Sequence, residues 1–109
     1  MTRATLDIEF TRGDDVVRLF SWQDDNGDTI DTTGRTYAAQ IRTNPDAPAD
    51  WVFTPSLDGA AGQLTLTMAA AITATIPPGR QYWDIEETID GVKSTVFGGR
   101  ATVWPDVTR

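Results

Sequence analysis

Apolar and polar residues alternate along most of the chain, the period-two pattern of strands that bury one face. Leu6, Ile8 and Phe10 fall on one side of a first strand, with Asp7 and Glu9 on the other. Arg12-Gly13-Asp14-Asp15 makes a turn, after which Val17 and Leu19 alternate with Val16, Arg18, Phe20 and Trp22. Gln23-Asp24-Asp25-Asn26-Gly27-Asp28 is rich in residues that tolerate left-handed backbone and reads as a turn, with a further corner at Thr32-Thr33-Gly34. Tyr37, Ala39 and Ile41 form the next alternating set. The stretch from Thr43 to Asp50 contains Pro45 and Pro48, which cannot donate to a ladder, and reads as a loop.

Trp51 and Phe53 begin a short strand that Pro55 is expected to end, and Ser56 to Gly62 then serve as a connection. Leu64, Leu66 and Met68 alternate with Gln63, Thr65 and Thr67. Ala69 to Ile76 is the one helical candidate, closed by Pro77-Pro78-Gly79. Tyr82 to Ile89 reads as a strand with Trp83, Ile85 and Ile89 on one face, and Asp90-Gly91 is the strongest hairpin signal, leading into Val92 to Phe97. Gly98-Gly99 is expected to turn again, with Ala101 and Val103 facing the core just before Trp104-Pro105. Seven or eight short strands, with turns about every 8 to 12 residues, predict an all-β fold: an immunoglobulin-like antiparallel β-sandwich with one short helical turn near 69–76.

Length and composition narrow this further. The chain has 109 residues, enough for a single β-sandwich domain over 1–109 with one real core. It has neither cysteine nor histidine, which removes thiol chemistry, disulfides, the commonest general base and the commonest metal ligand. Net charge is −7, with a single lysine and scattered arginines, so neither nucleic acid nor an anionic membrane is an expected partner. The first residues lack the apolar run of a signal peptide, and no stretch approaches the roughly 20 apolar residues of a membrane span. The expectation is a protein made in a cytoplasm, or carried out of it inside a larger assembly.

Four groups of residues suggest chemistry, each against a plainer reading. Asp84, Glu86 and Glu87 suggest a paired-acid hydrolase, but nothing in the sequence supplies a tuned base or nucleophile, and charged residues on the wet face of a sheet are ordinary. No catalytic residue is assigned. Asp24-Asp25-Asn26-Gly27-Asp28 echoes the start of a calcium loop, yet positions six and twelve of that motif fall on Thr29 and Arg35, where glycine and glutamate are needed. A turn is the better reading, and no metal or other cofactor is expected. Arg12-Gly13-Asp14 spells an adhesion tripeptide but is most simply a turn in which glycine takes a positive φ. Of the tryptophans, Trp83 belongs to the core by its alternation with Ile85. Trp22 and Trp104 sit at strand ends and are the candidate interface residues, with burial in the core as the rival placement for each.

Several of these stretches, taken in order, resemble a known family. They are Asp7-Ile8-Glu9-Phe10-Thr11-Arg12-Gly13-Asp14-Asp15, the Asp24-Asp25-Asn26-Gly27 turn, Ile30-Asp31-Thr32-Thr33-Gly34 and Ala39-Gln40-Ile41-Arg42. Further along come Pro78-Gly79-Arg80 leading to Trp83-Asp84-Ile85-Glu86, then Gly98-Gly99-Arg100-Ala101-Thr102-Val103 and Asp106-Val107-Thr108-Arg109. The order is similar to that of small β-sandwich proteins of tailed bacteriophages: the domain shared by tail-tip collar proteins and long-tail-fibre subunits, and the N-terminal domains of baseplate proteins. The resemblance implies a non-enzymatic virion structural protein, here with the sandwich as its whole working part. It would be a tail collar, fibre or baseplate adaptor, or a capsid decoration (minor capsid) protein. Its implied partners are other virion proteins (tail, fibre or baseplate, or major capsid subunits), met in multiple copies within a symmetric assembly. A carbohydrate-binding module recognising host-surface glycans is the alternative, and it requires exposed tryptophans in line.

Overall fold

A computed structural model describes residues 4–44 and 51–106. Its order is β1 (Ala4–Thr5), β2 (Ile8–Thr11), β3 (Val16–Ser21), β4 (Thr36–Arg42), β5 (Trp51–Val52), β6 (Thr54–Asp58), β7 (Gln63–Met68), α1 (Ala70–Thr73), β8 (Gly79–Ile89) and β9 (Val92–Trp104). The strands form two sheets packed as a sandwich. The larger runs β1-β9-β8-β4-β5, with β2 also on β9, and the smaller runs β3-β7-β6. β1 and β2 lie parallel to β9; every other pairing is antiparallel. All-β architecture and the short helical turn stand as the hydrophobic pattern predicts.

Between the sheets the alternating residues interdigitate. Tyr37, Ala39 and Ile41 of β4, Trp83 and Ile85 of β8, and Ala101 and Val103 of β9 meet Val16, Leu64, Leu66 and Met68 of the smaller sheet. In β3 both alternating sets carry apolar residues, and the inward one is Val16, Arg18 and Phe20, leaving Val17 and Leu19 on the solvent face. Arg18, though inward by parity, reaches the open side of the sandwich, where its Nη2 donates to the Glu9 carbonyl at 2.6 Å.

The strands number nine among the described residues, and two of them, β8 and β9, are long. The reasons are local. At Phe53 the chain leaves the larger sheet for the smaller one, splitting one expected strand into β5 and β6. Phe53 is only 2% exposed, and its N–H donates to the Ala39 carbonyl. Pro55 does not end the strand as expected: it lies inside β6 opposite Leu66, because β6 is an edge strand and a missing donor on its outer side costs no ladder bond. The loop expected from Thr43 to Asp50 falls mostly on residues 45–50, outside the described residues.

The expected turn at Gly98-Gly99 is not there. β9 runs through both glycines, and they serve a close approach instead. Leu6 and Asp7 interrupt the pairing with β9 between β1 and β2, which keep one register on either side of them. There the Asp7 carboxylate accepts from the Arg100 backbone N–H at 2.9 Å, and the Leu6 carbonyl accepts from Trp83 Nε1 at 2.8 Å. A Cβ on Gly99 would collide with the Leu6 carbonyl and sit 2.6 Å from Asp7 Oδ1. At this interruption Leu6 is exposed, not buried on the face it was expected to share with Ile8 and Phe10. Asp90-Gly91 does make the two-residue hairpin, with φ of 49° and 81°, joining Ile89 directly to Val92.

At the other end of β8, the Arg12–Asp15 turn is clasped to α1. Gly13, at φ 85°, donates its N–H to Thr73 Oγ1 at 2.9 Å, and that hydroxyl donates to the Asp14 carbonyl at 2.8 Å. Asp15 Oδ1 accepts from the Ala70 N–H at 2.7 Å, capping the helix from outside, while Arg12 Nη2 donates to the Ala74 carbonyl. The adhesion-like tripeptide is thus a turn with its arginine and glycine bound internally.

Gly99→Ala is expected to lower unfolding free energy by about 1–3 kcal/mol, because the new methyl meets the Leu6 backbone carbonyl, which cannot move without shifting the edge strand. Chemical denaturation of the variant against the parent measures it.

Candidate interaction surface

The outward positions of the larger sheet are set by the same parity that buries the inward ones. From the hairpin end downward, β8 presents Glu86, Asp84, Tyr82 and Arg80 on this face. The upper half is acidic but internally satisfied: Gln40 Nε2 donates to Asp84 Oδ1 at 2.6 Å and to Glu86 Oε1 at 3.2 Å. The two carboxylates share one face, as expected, and flank a side-chain amide rather than an open cleft.

The lower half has the opposite character. Tyr82 stands directly between Arg42 of β4 and Arg100 of β9, and the Arg100 guanidinium lies 5.9 Å from the Tyr82 ring centroid. Arg80 faces Thr102 one step down the ladder, and Trp104 closes the series opposite Thr11. Diagonal neighbours on such a face are roughly 7–8 Å apart, so Arg100, Tyr82, Arg80 and Trp104 make one continuous row. Arg80 and Arg100 are exposed, and neither forms an ion pair with a described residue. Two unpaired guanidiniums thus stand beside a tyrosine and a tryptophan, with the exposed Glu9 of β2 on the same face next to Thr102 and the Asp7 carboxylate on the Arg100 N–H.

The two sequence-derived candidates part here. Trp104 is 52% exposed and ends this row. Trp22 is partly buried, its ring 5.0 Å from that of Tyr37 and edge-on to Phe97 at 5.9 Å, so most of its surface closes the end of the core. Trp83 is 3% exposed, and Trp51 packs against the core with Nε1 donating to Thr75 Oγ1. A second exposed patch lies on the smaller sheet, where Val17 and Leu19 stand opposite Thr67 and Thr65.

The opposite end of the molecule is acidic. Asp24 Oδ1 accepts from the N–H groups of Asn26 and Asp28, both at 2.9 Å, which closes the 24–28 loop as a turn. Among the described residues no cluster of His, Cys, Asp or Glu forms a metal-sized group. Asp31 lies beside this loop. Hydrogen bonding from Thr33, with Arg35 nearby, holds its carboxyl below the ordinary range.

Glu87, grouped in the sequence with Asp84 and Glu86 as a wet-face carboxylate, is on the opposite face from them. It is fully buried, pointing inward between Ile85 and Ile89. Its Oε2 accepts from Tyr37 Oη at 2.6 Å and pairs with Arg35 Nη1 at 3.3 Å, while Oε1 is buried without a partner. The signal was present in the parity of 83, 85, 87 and 89, where a carboxylate interrupts an apolar series. Burial, then the bond and charge of Glu87, push the Tyr37 hydroxyl above its ordinary value. An open recess of about 210 Å³ beside this knot is lined by Arg35, Thr36, Tyr37, Pro55, Leu57 and Leu64. It falls short of the roughly 300 Å³ at which small-molecule sites begin.

No protein-family model matches the chain, and no curated protein matches it in sequence. The surface itself therefore carries the functional argument.

Arg35→Ala, which strands a buried carboxylate, is expected to destabilise by on the order of 3 kcal/mol in denaturant unfolding. Alkaline pH supplies an independent check on the same knot. The unfolded chain ionises Tyr37 near pH 10 while the folded protein keeps its proton, so this contribution to stability is intact below pH 10 and is lost as pH rises beyond it. Denaturation of the parent and of Tyr37→Phe on both sides of pH 10 should show that loss in the parent and a shallower one in the variant.

Proposed function

We propose that this chain is a non-enzymatic structural subunit of a tailed-bacteriophage particle, working by docking to other virion proteins. The observation that carries the reading is the row of Arg100, Tyr82, Arg80 and Trp104. Arginine, tyrosine and tryptophan are the residues enriched where protein interfaces concentrate their binding energy. They are set on the rigid face of the β8–β9 ladder, so they meet a partner without first being ordered, which lowers the entropic cost of association. The carboxylates that suggest hydrolysis are engaged by Gln40, Tyr37 and Arg35, which supports a binding role over a catalytic one.

The strand order supports an immunoglobulin-like sandwich: β9-β8-β4-β5 against β3-β7-β6, with the N-terminal strands parallel to the last. Such a module suits a tail collar, a fibre or baseplate adaptor, or a capsid decoration protein. The glycan-binding alternative asks for exposed tryptophans in line, and Trp104 is the single tryptophan of the four that stands mostly free of the core.

Two experiments test the reading. Immunogold labelling of purified particles should place the protein on the virion, over the head for a decoration protein or at the tail end for a collar or adaptor. Complementation with variants should separate contact from folding: Trp104→Ala and Arg100→Glu should fold normally and lose incorporation. Trp22→Ala should lose on the order of 3 kcal/mol of stability, since its ring fills the core's end. Unlabelled particles, or full incorporation of both surface variants, would overturn the proposal.

A further inference from the structure

The smaller sheet runs β3-β7-β6, and among the described residues no strand pairs with the outer side of β3. β1 and β2, its neighbours in sequence, are held on β9 in the other sheet. Trp22, one residue past β3, donates its N–H to the Gly62 carbonyl, continuing the register that sets Val16 against Met68. Bonded and non-bonded pairs alternate in an antiparallel ladder, so Val16, Arg18 and Phe20 turn their backbone groups to β7. Val17, Leu19 and Ser21 turn theirs outward. Among the described residues only Arg18 Nη1, on the Val17 carbonyl at 3.0 Å, reaches these outward groups.

The other edges are short or blocked. β5 is two residues long, Pro55 removes a donor from the outer side of β6, and Arg18 Nη2 covers the Glu9 carbonyl of β2. β3 has six residues with no proline, bulge or carboxylate, and on its solvent face Val17 and Leu19 are 58% and 61% exposed. An apolar edge with free backbone groups is a template for a further strand.

We propose that a second copy of this chain supplies that strand, β3 lying antiparallel to β3 across a two-fold axis at Leu19. This contact is independent of the Arg100–Trp104 row, which belongs to the other sheet. The outward groups are spaced symmetrically about Leu19, so Leu19 meets its own twin and Val17 meets Ser21 of the second copy. Each such pair exchanges two backbone bonds once Arg18 releases the Val17 carbonyl. Charge favours this patch for self-association. Copies of a chain of net charge −7 avoid apposed carboxylates where the contact has none, and the paired segment has none. Arg18 falls opposite Phe20 of the second copy; a slip of two residues toward the N-terminus would set arginine against arginine. Net charge, with Asp14 and Asp24 beyond the strand ends, opposes the pairing, so salt that screens them strengthens it. A joint this short belongs to the small, transient class of interfaces, and the dimer forms at high protein concentration.

The test is sedimentation velocity on the full chain over a wide concentration range, at about 0.1 M and about 1 M salt. The parent should dimerise, and more strongly at the higher salt. Leu19→Lys sets like charges at the axis, and Ser21→Pro gives β3 the block that Pro55 gives β6. Each should weaken dimerisation by at least about tenfold, with denaturant unfolding verifying that the variant still folds. Hydrogen exchange should show the amides of Val17, Leu19 and Ser21 gaining protection as concentration rises, while those of Arg18 and Phe20 are protected throughout. Because the chain has no cysteine, crosslinking reads the register. Leu19→Cys should link to its twin under mild oxidation, opposed Cα atoms being about 5.5 Å apart, whereas Val17→Cys, about 14 Å from its twin, should not. A parent that is monomeric at its highest concentration, dimers that survive both Leu19→Lys and Ser21→Pro, or Leu19 exchange indifferent to concentration each refute the pairing. A monomeric parent whose Leu19→Lys variant is excluded from particles would instead assign the edge to a strand of another virion protein and rule out the second copy.

Discussion

The ladder between β8 and β9 is the constraint on which the rest of the molecule depends. It extends from Gly79–Val103 to Ile89–Val92, interrupted by one bulge at Ile85/Glu86. On one side it carries β4, on the other β1 and β2, so the whole larger sheet takes its register from this hairpin. The bulge admits an extra residue into β9, and Val96 and Phe97 both pack inward around it, Phe97 meeting Phe20 of the facing sheet at 5.6 Å. The same pleat that buries Trp83 and Ile85 presents Tyr82 and Arg80 outside. Core and proposed docking surface are two faces of one set of hydrogen bonds, and a one-residue slip would exchange them.

Two polar arrangements close the ends of this frame. At one end, the buried Glu87 is tolerable because Tyr37 and Arg35 both turn to it, and Tyr37 in turn supports the Trp22 ring. At the other end, Thr73 bonds to both Gly13 and Asp14, fixing α1 against the turn that leads into β3. Neither arrangement contributes much apolar area. Each satisfies backbone or charged groups where the sheets stop and would otherwise leave them bare.

Much of the fold was legible because alternation is a direct record of burial. Tyr37-Ala39-Ile41, Leu64-Leu66-Met68 and Ala101-Val103 are all inward as their spacing predicts. The departures have a common cause: local residue type was overruled by what lies beside it. Pro55 continues a strand because that strand is an edge; Gly98-Gly99 continues one because a neighbouring carbonyl needs the space; Leu6 is outside because Asp7 takes the place of a backbone acceptor. The candidate surface was legible in one residue, Trp104. Arg80, Tyr82 and Arg100 come from two strands and adjoin only through register, which spacing along the sequence does not reveal. Glu87 was hidden differently, since a carboxylate among apolar neighbours looks like the wet face until its partners, some fifty residues away in the chain, are in place.

The parallel pairing of β1 and β2 with β9 has a mechanical meaning. Ala4 lies against Phe97 and Thr11 against Trp104, with both strands pointing the same way. Tension applied between the segment before Ala4 and the segment after Trp104 therefore drags the two strands lengthwise past each other. The inter-strand bonds share that load together instead of opening one after another from an end. A module joined at these two points resists extension far better than its modest size suggests, and it would give way first under a force that peels β2 sideways from the edge.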